Sequence, residues 1–371
     1  MFRLYCTRPG TTLARRASEG HNLVPRLRFG LVYVVSFRTV SGIYFIARIQ
    51  ANDYLVPMTS AEPQPTIIQP VTPQDEDQAL ALLVARAVPE DRAMRLETMR
   101  ADLDGGDAPS ATLLGAYRGR RLVGAVYCQL QAGRSGIVGL PGTVSGEPAA
   151  SSRSLLGAAA EWLAQQDARL IYALLEQETE AEVGLVGEVG FQPLAHLLYL
   201  VAQEPEFPLV RPESPLEFEP YSPASHQRLA RVVEATYQQT MDCPGLEKVR
   251  TTDDVLAGYR QMGAFDPERW LIARHAGNDV GCLLLTDHPR HQNLELVYMG
   301  VVPAARGKHW GYQIARHAQW IARQIGRRRL VLAVDETNAP ALKMYQEAGF
   351  KAWERRSVWA KFPPVVKNHQ Q

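Results

Sequence analysis

LELVYMGVVPAARGKHWGYQIARHA, residues 294–318, is the stretch on which the fold turns. An apolar run ends at Val301–Val302, and Pro303 breaks it. Arg306-Gly307-Lys308-His309-Trp310-Gly311 then forms a glycine-bearing turn, and a helix-period pattern follows. A strand that feeds a helix through such a turn is a βα unit of an α/β sheet. The first N–H groups of that helix lack intrahelical acceptors and, with the helix dipole, make a site for a pyrophosphate. Arg306 and Lys308 add positive charge beside it. Taken alone, a plain βα connection explains the turn about as well.

Downstream, VLAVDETNAPALKMYQEAGF (331–350) reads as a buried strand and a second helix. Asn338 is placed to cap that helix, and Ala341 and Tyr345, four apart, share one of its faces. Upstream, the chain says the same thing twice. IIQPVTPQDEDQALALL (67–83) is echoed by FEPYSPASHQRLARVV (218–233), and the hairpin pattern of 112–130 by that of 270–285. The helix-to-strand run 158–175 answers 315–334, and GEVGFQPLAHLLYLV (187–201) answers QEAGFKAWERRSVWA (346–360). Each copy runs β, one or two α, three β, α, β, α, β, a mixed sheet with helices on both faces. EPEFPLVRPESP (204–215), rich in prolines and acids, reads as a linker between them.

These motifs resemble those of the GCN5-related N-acetyltransferases. V-x-P-x-x-R-G-K-x-x-G is similar to the family's coenzyme A loop, [QR]-x-x-G-x-[GA], with Arg306 and Gly311 at its ends. His309 stands where glycine is usual. Asn338, Ala341, Tyr345, Gly349 and Phe350 match N-x-x-A-x-x-x-Y-x-x-x-G-F. The likeness covers 216–362 well and 66–201 as a faded copy, and the segment from Glu295 to Gly311 is locally similar to that of a tandem member. It implies an α/β chain of two tandem acyl-CoA N-acyltransferase folds, the first degenerate, with domains at 58–205 and 206–371.

The resemblance also implies roles. Acetyl-CoA would be the co-substrate, with no metal, and a small-molecule or peptide amine the acceptor. Tyr345 would protonate the leaving thiolate, and Glu295 would take the proton of the attacking ammonium. Backbone groups of Met299, Gly300 and Val301 would meet the pantetheine amides and the thioester carbonyl. Arg306, Gly307, Lys308, His309, Trp310, Gly311 and Asn338 complete the coenzyme site. A non-catalytic acyl-CoA-binding sensor is the alternative, encouraged by His309. In the first copy Tyr345 falls on Val186, Asn338 on Thr179, and Glu147 takes the place of Arg306, where a carboxylate repels pyrophosphate.

Outside the motifs, the formal charge of +1 gives no field that argues for nucleic acid or an anionic membrane. Cys6, Cys128, Cys243 and Cys282 are scattered without a C-x-x-C pair, which suits free thiols in a reducing, cytoplasmic setting. Cys243 has no adjacent base to activate it, and Arg327-Arg328-Arg329 reads as a solvated helix end rather than a phosphate contact. Residues 1–57 are basic and acid-poor. A transit peptide and a membrane span over 29–49, interrupted by Arg38 and Arg48, are two readings. We expect a third, a disordered or non-native leader with Met58 as the initiator.

Overall fold

The computed structural model describes residues 65–105, 111–246 and 249–364, so the expectations for the leader lie outside the described residues. The first half runs β1 (Thr66–Pro70), α1 (Glu76–Val84), α2 (Pro89–Leu103), β2 (Ala111–Arg118), β3 (Arg121–Gln131), β4 (Ser135–Val138), β5 (Gly142–Thr143), α3 (Ala149–Gln165), β6 (Leu170–Leu175), α4 (Glu180–Glu188) and β7 (Gln192–Gln203). The second runs β8 (Glu217–Pro220), α5 (His226–Tyr237), α6 (Thr252–Arg260), β9 (Trp270–His275), β10 (Asn278–His288), β11 (Asn293–Val301), α7 (Trp310–Gln324), β12 (Arg329–Asp335), α8 (Ala339–Glu347) and β13 (Lys351–Lys361). The repeat read from the sequence is therefore present apart from the short β5, which has no counterpart in the second half, with two helices after the first strand of each copy.

Local chemistry explains the elements. In α7 the residues Trp310, Ile314, Ala315, Ala318 and Ala322 fall on one helical face and are buried. Thr179 caps α4 in a reciprocal box with Glu182. Asn338 accepts the N–H of Ala341 at 3.3 Å and starts α8.

The strand order is β1-β2-β3-β4-β6-β13-β7-β12-β11-β10-β9-β8, one continuous sheet. Its centre carries an exchange. The last strand of the first half, β7, lies against β12 of the second half from Gln203↔Arg329 to Leu197↔Asp335. The last strand of the second half, β13, lies against β6 of the first from Leu175↔Ser357 to Ile171↔Lys361. Cores follow the exchange. Leu200 and Ala202 of β7 are buried with α7, while Trp359 of β13 is buried with α3 and α4. Each such leucine contributes about 2 kcal/mol of burial to the half it did not come from.

The segment 204–215 is strapped down rather than loose where it leaves β7. Arg323 donates to the carbonyls of Glu204 (2.7 Å) and Phe207 (3.2 Å), Arg316 to that of Glu206 (2.9 Å), and Phe207 is buried against α7. Among the described residues no helix is long and apolar enough to cross a membrane, and no cluster of metal-ligating side chains occurs. Cys128, Cys243 and Cys282 are free and buried, and burial pushes the Cys128 and Cys282 thiols up to about 12.

Candidate active site

Parallel strands β11 and β12 pair only at Asn293↔Arg329, Leu294↔Leu330 and Glu295↔Val331. Beyond Glu295 they part, although β11 stays on β10 as far as Val301 and β12 stays on β7 as far as Asp335. The cause is local. Leu285 pairs with Leu296 but Leu284 with Tyr298, which leaves Val297 as an extra residue. Such a bulge bends its strand and ends regular pairing. A cleft of about 500 Å³ occupies the opening, with Met299, Gly300 and Val301 on one wall and Ala333 and Val334 on the other. The edge of β11 from Leu296 onward thus offers its peptide groups to the cleft instead of to a neighbouring strand.

At one end of the cleft lies the turn into α7, with Arg306, Gly307, His309, Trp310 and Gly311 among its lining. Gly307 (φ +78°) and His309 (φ +57°) are both left-handed, so His309 adopts the backbone that a glycine would supply. The imidazole is thus carried on a backbone of the kind glycine favours. His309 is the residue before α7 and no side chain caps the helix, so its first N–H groups face outward. Lys308 does not line the cleft; its ammonium lies 4.9 Å from the centre of the Trp310 ring.

Arg306 is spent differently from the sequence reading. Its guanidinium donates to the carbonyls of Val301 (3.1 Å), Thr236 (3.0 Å), Gln238 (2.9 Å) and Gln239 (3.3 Å). It ties the end of α5 to the turn, and in doing so satisfies carbonyls that the helix end leaves unpaired. Arg327 pairs with Asp287 at 2.6 Å, away from the cleft.

From α8, Asn338, Ala341 and Tyr345 reach the cleft. Tyr345 is only 6% exposed and packs edge-on against Phe350. Burial, and then the charge of Asp242, holds its phenol well above the ordinary tyrosine value. Glu295 sits at the vertex where the strands part. It is 2% exposed, and its Oε2 lies 2.7 Å from His288 Nε2. The cleft lining starts at the next residue, Leu296.

Comparison with known proteins meets the same segment. Residues 233–350 match the Acetyltransferase (GNAT) family. That segment is the part of the chain that carries the GCN5-related N-acetyltransferase pattern. The GNAT match begins in α5 and ends at Phe350, so it contains the bulge, the turn and Tyr345. Among curated relatives, a mycothiol acetyltransferase of Pseudarthrobacter chlorophenolicus is 31% identical over 27% of the chain, a match spanning 32% of that protein. Another, of Thermobispora bispora, is 25% identical over 76% of the chain and 94% of its own length. Among solved structures, a GCN5-related N-acetyltransferase from Sphaerobacter thermophilus shares the fold, with a TM-score of 0.57, 17% identity, and coverage of 81% and 98% of the two chains. The glucosamine N-acetyltransferase region of a fungal β-N-acetylglucosaminidase aligns at a TM-score of 0.58 and 16% identity, over 81% of this chain and 38% of that one.

Beside the GNAT half, the first half keeps the fold with other residues at the matching positions. Thr179 caps α4 as Asn338 caps α8, and Val186, fully buried, occupies the position of Tyr345. Glu147 lies just before α3, its carboxylate bonded by Arg118 (2.9 Å) and Ser151 (2.5 Å). Where the GNAT half has Arg306, the first half thus has a carboxylate held by its own arginine and serine.

Among the cleft residues that sequence reasoning did not single out is Asp242. Burial raises its carboxyl above the usual range, and the neighbouring Asp335 charge adds to this, against the Asp335 N–H that Asp242 accepts. Cys243, next to it, is buried with its thiol also raised by burial, which fits the packing reading of that cysteine.

Proposed function

We propose that the chain is an acyl-CoA-dependent N-acyltransferase that moves an acetyl group from acetyl-CoA to a primary amine of a small molecule or peptide. One observation carries this: the wedge between β11 and β12 has a helix-entry turn at one end and a buried phenol on its wall. A pyrophosphate fits the outward N–H groups of α7, and Gly307 leaves them unshielded. An extended arm with amide groups fits the unpaired edge of Leu296–Val301 as an added strand would. A peptide N–H of that edge then stabilises the charge developing on the thioester carbonyl.

Tyr345 is the proposed general acid. Its phenol gives a proton to the departing sulfur, and its raised pKa keeps it protonated until then. Glu295 is the proposed base, acting through water from the vertex, with His288 on its Oε2 to pass the proton outward. Neutral amine nitrogen bonds to the acyl carbon, the carbon–sulfur bond breaks, and one proton is released overall. Two relatives are named as mycothiol acetyltransferases, so a mycothiol-related amine is the first acceptor to test.

The test is thioester consumption by the full chain against a panel of amines, beside calorimetric titration with acetyl-CoA. Turnover that falls about 100-fold or more in Tyr345→Phe, with acetyl-CoA binding retained, supports an enzyme. Retained binding with no turnover by the native chain would leave the sensor reading standing. No binding at high micromolar acetyl-CoA would remove both.

A further inference from the structure

We propose that Asp242 receives the ammonium group of the acceptor, so that the acceptor binds as a cation before it loses its proton. This rests on the reading of the cleft as an acetyl-transfer site, and adds the residue that selects what is acetylated.

Asp242 lies in the turn after α5 and lines the cleft together with Tyr345, Met299 and Gly300. Its position is fixed by a reciprocal pair of bonds. Asp242 Oδ1 accepts the Asp335 N–H at 3.0 Å, and Asp335 Oδ2 accepts the Cys243 N–H at 3.1 Å. The turn is thereby pinned to the end of β12, beyond the point where that strand has left β11. Asp335 is further engaged, its Oδ1 taking the N–H and the hydroxyl of Thr337 at 2.9 and 2.8 Å.

Asp242 is not so satisfied. Among the described residues its Oδ2 accepts no hydrogen bond and no cation pairs with it. The groups whose titration it influences are Tyr237 of α5, Tyr298 of β11, Tyr345 of α8, and Cys243, all acids, with Asp335 beside it. Arg306 lines the same cleft, but four carbonyls hold its guanidinium. Lys343 and Glu347, on α8, also line the cleft. A carboxylate stripped of water, beside a second carboxylate and paired with no side-chain cation among the described residues, gains from an added cation. An alkylammonium supplies that cation and brings its nitrogen to the cleft that holds the proposed general acid. Neutral acceptors, such as alcohols, gain nothing there, so the pocket discriminates by charge.

Asp242→Asn isolates the charge, because the amide oxygen can still accept the Asp335 N–H. The full chain is assayed with whichever panel amine it turns over fastest, and the matching alcohol, with hydroxyl in place of ammonium, is measured as an inhibitor. We expect the KM for the amine to rise about 10- to 100-fold, the loss of one charge-assisted hydrogen bond, with kcat changing far less and the acetyl-CoA Kd within threefold of the native value. Asp242→Glu, which keeps the carboxylate, should recover most of the affinity. The native chain should bind the amine at least tenfold more tightly than the alcohol, and Asp242→Asn should erase that preference. An unchanged amine KM in an Asp242→Asn variant that still binds acetyl-CoA overturns the proposal and leaves the enzyme reading intact. If that variant does not bind acetyl-CoA, a native amine-to-alcohol ratio near one overturns the proposal by itself. Acetyl-CoA binding without turnover of any amine sinks the enzyme reading, and this one with it.

Discussion

Gly300 and Thr236 stand so close that a β-carbon on the glycine would lie 2.6 Å from that of the threonine. The whole threonine side chain is within 2.8 Å of that point, so rotation offers no escape. Helix α5 is thereby pressed onto the bulged strand, and Thr236 Oγ1 bonds Tyr298 at 2.6 Å from there.

Gly300→Ala should force α5 away from β11 and cost about 1–3 kcal/mol, as overpacking does elsewhere. It should also loosen the carbonyls of Thr236, Gln238 and Gln239 that Arg306 grips. Urea denaturation and acetyl-CoA titration are the two measurements. Native stability together with native acetyl-CoA affinity would contradict the close packing.

His309 in a left-handed conformation carries a strain that glycine does not. Glycine gives back part of this through its freer unfolded chain, so His309→Gly should gain a few tenths to about 1 kcal/mol. Tm should rise by about 1–3 °C in calorimetry. Acetyl-CoA affinity should hold or improve, since the backbone of the turn is already in place. A lowered Tm would mean that the imidazole makes a stabilising contact.

For Tyr345 the sign of the pH effect follows from its role. A general acid must be protonated to act, and burial with the Asp242 charge raises the pH at which its proton is lost. Rising pH should therefore not remove it, and kcat should stay flat from about pH 7 to 10 on its account. A basic limb near the ordinary phenol value that vanishes in Tyr345→Phe would contradict this.

Cutting the chain after the first half should not release a working enzyme. A fragment of 206–371 loses β7, which flanks both β12 and β13, and β6, which flanks β13 on its other side. We expect aggregation, or dimers in which β13 finds a partner in a second copy, by size-exclusion chromatography and circular dichroism. A monomeric fragment with native acetyl-CoA affinity would show that the exchanged strands are dispensable.

Much of this was legible in the residues because it is written in local chemistry. Asn338 as a cap, Tyr345 one turn beyond Ala341, and the glycine-bearing turn before Trp310 all depend on near neighbours in sequence. So did the replacement of Tyr345 by Val186. Asp242 was not legible, for its significance comes from Asp335, ninety-three residues away, and from burial that no periodicity reports. Nor was the use of Arg306, since the carbonyls it binds become unpaired only when α5 ends where it does. The strand exchange was hidden for another reason. β7 and β13 carry the same alternation and both run antiparallel to their neighbours, so the pattern does not say which sheet each one enters.

That trade of terminal strands ties the fate of each half to the other. Residues 192–203 brace the far side of the strand whose departure opens the wedge. A constraint on the proposed acetyl transfer therefore reaches into the first half as well. A proline or a charge placed along Leu197–Ala202 would be felt in the opposite half.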